Sequence, residues 1–136
     1  MKIDKNCADL ILERRINFHD DSLLSFSFDR DNKRIDAEFA DYSRGGAPYR
    51  VCFLNTVGFE VTSADFWGFS ECIFDFELAV GENRVILPKI ERRWSEIDAS
   101  VALAGHKDYE DYIEVLYTFS SGDEMRIACH TIEISK

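Results

Sequence analysis

The sequence has few residues that interrupt regular structure, and its cysteines form no recognisable motif. Only two of its 136 residues are proline and seven are glycine, which argues against a disordered or low-complexity chain. The four cysteines lie far apart without a C-x-x-C pair, and three of them fall in apolar, strand-like runs where cysteine behaves as a small hydrophobic residue. We therefore expect free thiols and a reducing, cytoplasmic compartment.

Long apolar runs and an excess of positive charge are also missing. The apolar stretch near the start, Ala8 to Leu12, is short and is interrupted by Asp9, so no signal peptide or membrane span is expected. The chain contains 16 basic and 26 acidic residues, which gives a net charge of −10. This charge repels nucleic-acid phosphates and steers the protein toward basic partners.

What the sequence does contain is material for an aromatic core. Apolar residues make up 46% of the chain, including eleven Phe, five Tyr and two Trp. Aromatic side chains favour pleated strands over helices. A chain of this length fits one domain and buries enough surface to fold without a metal or a disulfide.

The clearest structural signal is an alternation of apolar and polar residues on both sides of a polar turn. Leu24, Phe26 and Phe28 alternate with polar or small residues, and the alternation resumes at Ile35 after residues 29–33. Two such runs across a short Asp/Asn-rich turn predict a β-hairpin. Similar runs predict further strands at 50–54, 57–61, 72–78 (with Phe74 on the same face as Phe76), 85–87, 113–119, 125–129 and 132–134.

Other local signals refine this arrangement. Residues 6–15 are compatible with one short helix that Asn6 could cap. Pro88 predicts an edge position or the end of the strand at 85–87, because proline cannot donate to a ladder. The last strand changes parity, which predicts a bulge near His130. The expected fold is mainly β: a single-domain antiparallel sandwich or partly closed barrel of seven or eight strands, with one or two short helices.

One group of side chains could form a metal-dependent hydrolytic site. His19 with Asp20 or Asp21 could be joined by His130 if the first and last strands are neighbours, leaving a position for water. The spacing matches no known metal motif, and the alternative is a turn in which Asp20 or Asp21 accepts backbone N–H bonds. Cys129 beside His130 is a poor nucleophile–base pair, because adjacent strand residues point to opposite faces.

Aromatic residues between the predicted strands offer a different kind of site. Trp67 lies among other rings, with Asp65 and Glu71 nearby. Exposed aromatics ringed by acids would make a binding hot spot. The alternative is that the rings cover one end of the core.

The stretch Phe18-His19-Asp20-Asp21-Ser22, followed by a hairpin, resembles the opening of small bacterial β-rich families. Among them is the Immunity protein 50 family, in which an F-H-D motif precedes the first hairpin. A neighbouring uncharacterised family is the alternative, because here residues 16–17 replace the usual Trp-Pro. The resemblance implies a single-domain, cytosolic, non-enzymatic protein. Members described as immunity proteins are thought to neutralise a toxin.

Taken together, these features predict a non-catalytic protein-binding domain without a cofactor, whose partner is a basic toxin domain bound through an acidic surface. The candidate interface residues are Asp20, Asp21, Asp65, Trp67 and Glu71. The alternatives are a small metal-dependent hydrolase that uses His19, Asp20 and His130, and a β-barrel that binds a small ligand.

Overall fold

The computed structural model describes residues 1–62, 72–96 and 109–136. Within these ranges, nine strands form two antiparallel sheets. The strands are β1 (Lys2–Ile3), β2 (Ser22–Asp29), β3 (Arg34–Asp41), β4 (Ala47–Leu54), β5 (Gly58–Val61), β6 (Ile73–Leu78), β7 (Ile113–Phe119), β8 (Glu124–Cys129) and β9 (Thr131–Ser135). The helices are α1 (Asp9–Leu12), α2 (Ile86–Glu96) and three 3-10 turns at Lys5–Cys7, Tyr42–Arg44 and Gly81–Asn83. The prediction of a mainly β, antiparallel, sandwich-like fold is confirmed.

The strands are divided between a five-stranded sheet A, in the order β1-β9-β4-β3-β2, and a four-stranded sheet B, in the order β5-β8-β7-β6. The predicted β2–β3 hairpin is present, with Phe28 opposite Ile35. Asp29 closes its turn by accepting the N–H groups of Asp31 and Asn32. Ile35 and alternate residues after it on β3 are buried, as the alternation predicts.

Two edge strands contain a bulge that the alternation does not reveal. In β2 the register shifts between Leu23 and Ser25, so Leu23 packs on the core and Leu24 is 53% exposed. In β6 the shift lies between Ile73 and Asp75, and it leaves Phe74 62% exposed. The predictions that Leu24 and Phe74 share the faces of their i+2 neighbours are therefore wrong, because a bulge inserts one residue and inverts the parity.

The two sheets pack across each other. At its start β2 forms a bridge to sheet B, between Ser22 and Cys72 beside β6. At its end the ring of Phe28 lies 4.9 Å from that of Phe59 on β5. Because β6 and β5 are opposite edges of sheet B, β2 crosses that sheet from one side to the other, as in orthogonal packing.

The last two strands join the sheets directly. β8 belongs to sheet B and β9 to sheet A, and His130 is the single residue between them. Its N–H donates to the carbonyl of Leu54 at 3.1 Å. Ile132 and Ile134 face the core as predicted, but the cause is this corner between two sheets and not a bulge in one strand.

The segment after β6 is a helix where the sequence predicted a strand. The N–H groups of Val85, Ile86 and Leu87 all donate to the carboxylate of Glu114 on β7, which satisfies donors at the start of α2. Pro88 fits the first turn, where a missing N–H costs nothing. The strand prediction at 85–87 and the edge interpretation of Pro88 are wrong for this reason.

The N-terminal segment is helical only in part. A 3-10 turn at Lys5–Cys7 and the short α1 replace the single predicted helix over 6–15. Asp4, and not Asn6, provides the cap: its Oδ1 accepts the N–H of Asn6 at 2.8 Å. Within the described part of the chain, no helix is long and apolar enough to cross a bilayer.

Candidate functional site

The Phe18–Asp21 turn is anchored to the hydrophobic core by its first residue. Phe18 is buried between the sheets, where its ring lies 4.7 Å from Phe76 and 5.3 Å from Tyr117. Such edge-on ring pairs add to the free energy gained by burial. Phe18 is therefore a core residue that fixes the position of the turn.

Asp21 ties the same turn to sheet A. Its side chain is buried, 3% exposed, and its Oδ1 accepts the N–H of Tyr42 at 2.9 Å. Its Oδ2 accepts the hydroxyl of Tyr49, and the Nζ of Lys136 lies 3.7 Å from the same oxygen. The prediction that Asp21 belongs to a binding surface is wrong, because these partners bury and occupy its carboxylate.

A second buried carboxylate lies beside the first. Asp41 accepts the N–H and the hydroxyl of Ser43 at 3.0 and 2.6 Å, and Arg44 Nε at 2.9 Å. The Nζ of Lys136 lies 3.4 Å from Asp41 Oδ2, so one ammonium group bridges both carboxylates. The hydrogen bond from Ser43, followed by those from Arg44 and Lys136, holds the pKa of Asp41 well below its usual range.

Asp20 has the opposite environment. Its side chain is half exposed, and its backbone has a φ of 69°, a conformation that Asp tolerates better than most residues. The N–H of Asp20 donates to Ile73 O at 2.9 Å, and Ile73 N–H donates to Asp21 O at 2.8 Å. These two bonds clamp the turn onto β6 and direct the Asp20 carboxylate outward.

His19 completes the turn without a metal-like environment. Its N–H donates to Asn17 Oδ1 at 2.7 Å, so Asn17, and not Asp20 or Asp21, forms the Asx-type turn. Its Nδ1 lies 3.1 Å from Asp20 Oδ2, and its ring centroid lies 6.1 Å from that of Phe74. Asp21 accepts a backbone N–H, but it is that of the distant Tyr42, so neither acid forms the local turn that was expected of it.

Two exposed side chains of this turn and two beside it form what we call the turn surface: His19, Asp20, Tyr42 and Phe74. Tyr42 is 71% exposed and directly follows Asp41, which caps the 3-10 turn at Tyr42–Arg44. The bulge in β6 exposes Phe74. Exposed rings beside a carboxylate are typical of protein-binding hot spots. The sequence did not single out Phe74, because an unbulged β6 would have turned it inward.

The residues of the proposed metal site do not converge. The N–H of His130 bonds to Leu54, its Nδ1 lies 2.9 Å from Thr131 Oγ1, and its ring packs on Tyr112. Leu54 pairs with the start of β3, whereas the turn surface adjoins its end, roughly 20 Å away along the strand. The predicted set of His19, Asp20 and His130 is therefore wrong, and no group of three His, Cys, Asp or Glu side chains within the described ranges could hold a metal.

Cys129 and His130 do not act as a pair. Cys129 is fully buried, and burial raises the pKa of its thiol to about 12. The ring of His130 is directed to Thr131 instead. The remaining predicted interface residues, Asp65, Trp67 and Glu71, lie outside the described residues.

No protein-family model matches the sequence, and no curated protein does. Among solved structures, an uncharacterized protein from Neisseria gonorrhoeae is similar, with a TM-score of 0.53 and 16% sequence identity. The match covers 100% of this chain and 98% of that chain. At this identity the likeness concerns the fold alone.

Proposed function

We propose that the protein is a non-catalytic binding domain of the immunity type, which inhibits a basic toxin domain in the cytoplasm by docking through the turn surface. The observation that carries this proposal is the outward-pointing carboxylate of Asp20 beside two strongly exposed rings, Tyr42 and Phe74. Aromatic anchors around a charged group are the side chains that dominate binding energy at protein interfaces.

The rigidity of the turn supports the same function. Asp20 is held at a positive φ by its bond to Ile73 and by the buried bonds of Asp21. A surface that is already ordered loses less conformational entropy on binding.

The chemistry of the surface selects a cationic partner. An arginine of the partner can pair with the Asp20 carboxylate while its guanidinium stacks on Phe74 or Tyr42. The net charge of −10 speeds the encounter with such a partner and makes association sensitive to salt. The resemblance of the Phe18–Ser22 stretch to immunity families points to a toxin as that partner.

The test begins with affinity capture from the source cells, but it is decided with the purified partner. Isothermal titration should show that Asp20→Asn and Phe74→Ala each raise the Kd by about tenfold or more, the scale of a hot-spot residue. Asn keeps the shape of Asp and its tolerance of positive φ, so only the charge changes. Asp31→Asn, in the β2–β3 turn at the far end of the hairpin, is the matched control and should stay within about twofold.

A functional measurement accompanies the titration. Co-expression of the wild-type protein should relieve growth arrest caused by the toxin domain, and Asp20→Asn should relieve it less. A partner whose affinity is unchanged by both substitutions would disprove the turn surface as the interface. A purified protein that bound no basic protein partner would disprove the function itself.

A further inference from the structure

A second cleft lies at the other end of β2, and it has a different chemical character. It is an open cleft of about 470 Å³ between the β2–β3 turn and α2, a size at which small-molecule sites are common. We call it the basic cleft. The described residues that line it are Phe28, Arg30, Lys33, Thr56, Val57, Ile90, Arg93, Trp94 and Tyr109.

The described residues that line the cleft are positively charged or neutral, whereas the protein as a whole is negatively charged. Arg30 and Lys33 come from the hairpin turn and Arg93 from α2, and no acidic residue occurs among the described lining residues. Three cations without an acid are unexpected in a chain with 16 basic and 26 acidic residues. Arg30 and Arg93 form no ion pair with any residue in the described ranges, so their guanidinium groups are available to an anion.

The same cleft presents aromatic surface. Phe28, Trp94 and Tyr109 approach it from β2, from α2 and from the residues before β7. Phe28 is 41% exposed although its ring also packs on Phe59. Rings of this kind stack on planar ligands.

We propose that the basic cleft binds a small aromatic anion of the nucleoside phosphate class. Arg30 and Arg93 hold the phosphates, since a guanidinium pairs with phosphate oxygens through two parallel bonds. Trp94 and Tyr109 provide the surface for the base. A single nucleotide suits the volume of the cleft, whereas the net charge of −10 repels a nucleic-acid polymer that would extend beyond it.

This site is independent of the turn surface. The two lie at opposite ends of the eight-residue strand β2, roughly 25 Å apart along the strand. A nucleotide in the basic cleft would leave Asp20 and Phe74 uncovered. The experiments on the two sites can therefore succeed or fail separately.

The test is isothermal titration of the full chain with three probes in low-salt buffer. ATP should bind with a measurable Kd below about 1 mM. Inorganic triphosphate, which carries the charge without the ring, should bind more weakly, and adenosine, which carries the ring without the charge, more weakly still. Equal binding of ATP and triphosphate would overturn the aromatic part of the proposal, and no binding of ATP would overturn the whole.

Adjacent residues of α2 provide a matched pair of variants. Arg93 lines the cleft and Arg92 does not, although both are exposed on the helix. Arg93→Gln and Arg30→Gln should each weaken ATP binding by about tenfold, the loss of one charge-assisted hydrogen bond. Arg92→Gln should leave the Kd unchanged within about twofold.

A ring variant and a competitor complete the design. Trp94→Leu should remove the preference for ATP over triphosphate, and circular dichroism would verify that each variant is folded. If Arg92→Gln and Arg93→Gln weakened ATP equally, the binding would be non-specific and the proposal wrong. If a glutamate-rich peptide bound and ATP did not, the cleft would be a docking site for an acidic protein segment instead.

Discussion

The hydroxyl of Tyr49 donates a hydrogen bond to Oδ2 of Asp21, and both side chains are buried. This contact joins β4 to the turn that precedes β2. It also satisfies an oxygen that would otherwise be desolvated without a donor. The position of the exposed residues of the turn therefore depends on a buried hydrogen bond.

Tyr49→Phe should therefore destabilise the protein. The substitution leaves Asp21 with its Tyr42 N–H and the more distant Lys136, and removing a donor from a buried carboxylate costs about 1–3 kcal/mol. Urea unfolding would measure the change in the free energy of unfolding. We expect a lower midpoint with an unchanged slope.

Tyr117→Phe is the matched control for that substitution. Tyr117 is also fully buried, but its hydroxyl has no hydrogen-bond partner in the described part of the chain. Deleting an unsatisfied buried hydroxyl should be neutral or stabilising, by about 0–1 kcal/mol. Equal losses for the two tyrosines would contradict the role assigned to the Tyr49–Asp21 bond.

Asp41 should make the stability of the protein fall in acid. Its bonds to Ser43, Arg44 and Lys136 keep the pKa of its carboxyl well below the usual value in the folded state. The folded state therefore binds fewer protons than the unfolded state, and the stabilisation is complete above the unfolded pKa of about 3.9. It is lost as the pH falls from there through the folded pKa.

The measurement is the difference in free energy of unfolding between wild type and Asp41→Asn as a function of pH. That difference should be constant near neutral pH and should shrink below about pH 4, because Asn does not titrate. Carbon-13 NMR of the Asp41 carboxyl provides a direct check. A titration midpoint at the ordinary value would contradict the assignment.

Substitution of Glu114 should strongly destabilise the protein. Its carboxylate accepts three backbone N–H groups at the start of α2 and also binds Arg126 Nη1 at 2.9 Å. Glu114→Ala leaves these three N–H groups without an acceptor and Arg126 without its buried partner. We expect the free energy of unfolding to fall by about 3–5 kcal/mol. Glu114→Gln keeps one acceptor oxygen and should cost less.

The control for Glu114 is an ion pair at the protein surface between the same helix and β5. Glu60 lies 3.7 Å from Lys89 of α2 and both side chains are about half exposed, so Glu60→Gln should cost less than about 1 kcal/mol. Hydrogen exchange should show faster opening of the α2 amides only in the Glu114 variants. Uniform acceleration across both sheets would mean that Glu114 supports the whole fold and not α2 in particular.

Local alternation was enough to find the β2–β3 hairpin and the strands near the C-terminus. In β3 every second residue is buried and the residues between them are not, which is the condition under which a period of two in burial appears. At residues 85–87 the apolar run does not form a strand, because the carboxylate that starts the helix there is that of Glu114, far along the chain. Only Pro88 carried a local sign of a first helical turn.

The candidate site shows the same limit. The sequence located the turn at residues 18–21, but it treated Asp20 and Asp21 alike. Their environments differ because Tyr49 and Lys136 reach Asp21 from distant strands, and neither contact has a sequence signature. The alternation placed Phe74 on the buried face with Phe76. It is exposed because the bulge adds one residue to β6 and inverts the parity of the residues before it.

The packing of α2 on sheet B leads to a final prediction. A Cβ on Gly58 would lie 2.6 Å from Cγ2 of Ile86, which is too close for two carbon atoms that are not bonded to each other. Gly58→Ala should therefore push α2 away from β5 and cost about 1–3 kcal/mol, the usual penalty for overpacking. Ile86→Leu removes the branched methyl while keeping the volume, so the double variant should recover part of the loss. If the two substitutions were simply additive in urea unfolding, the clash would not be the cause, and α2 would lie farther from Gly58 than the structure places it.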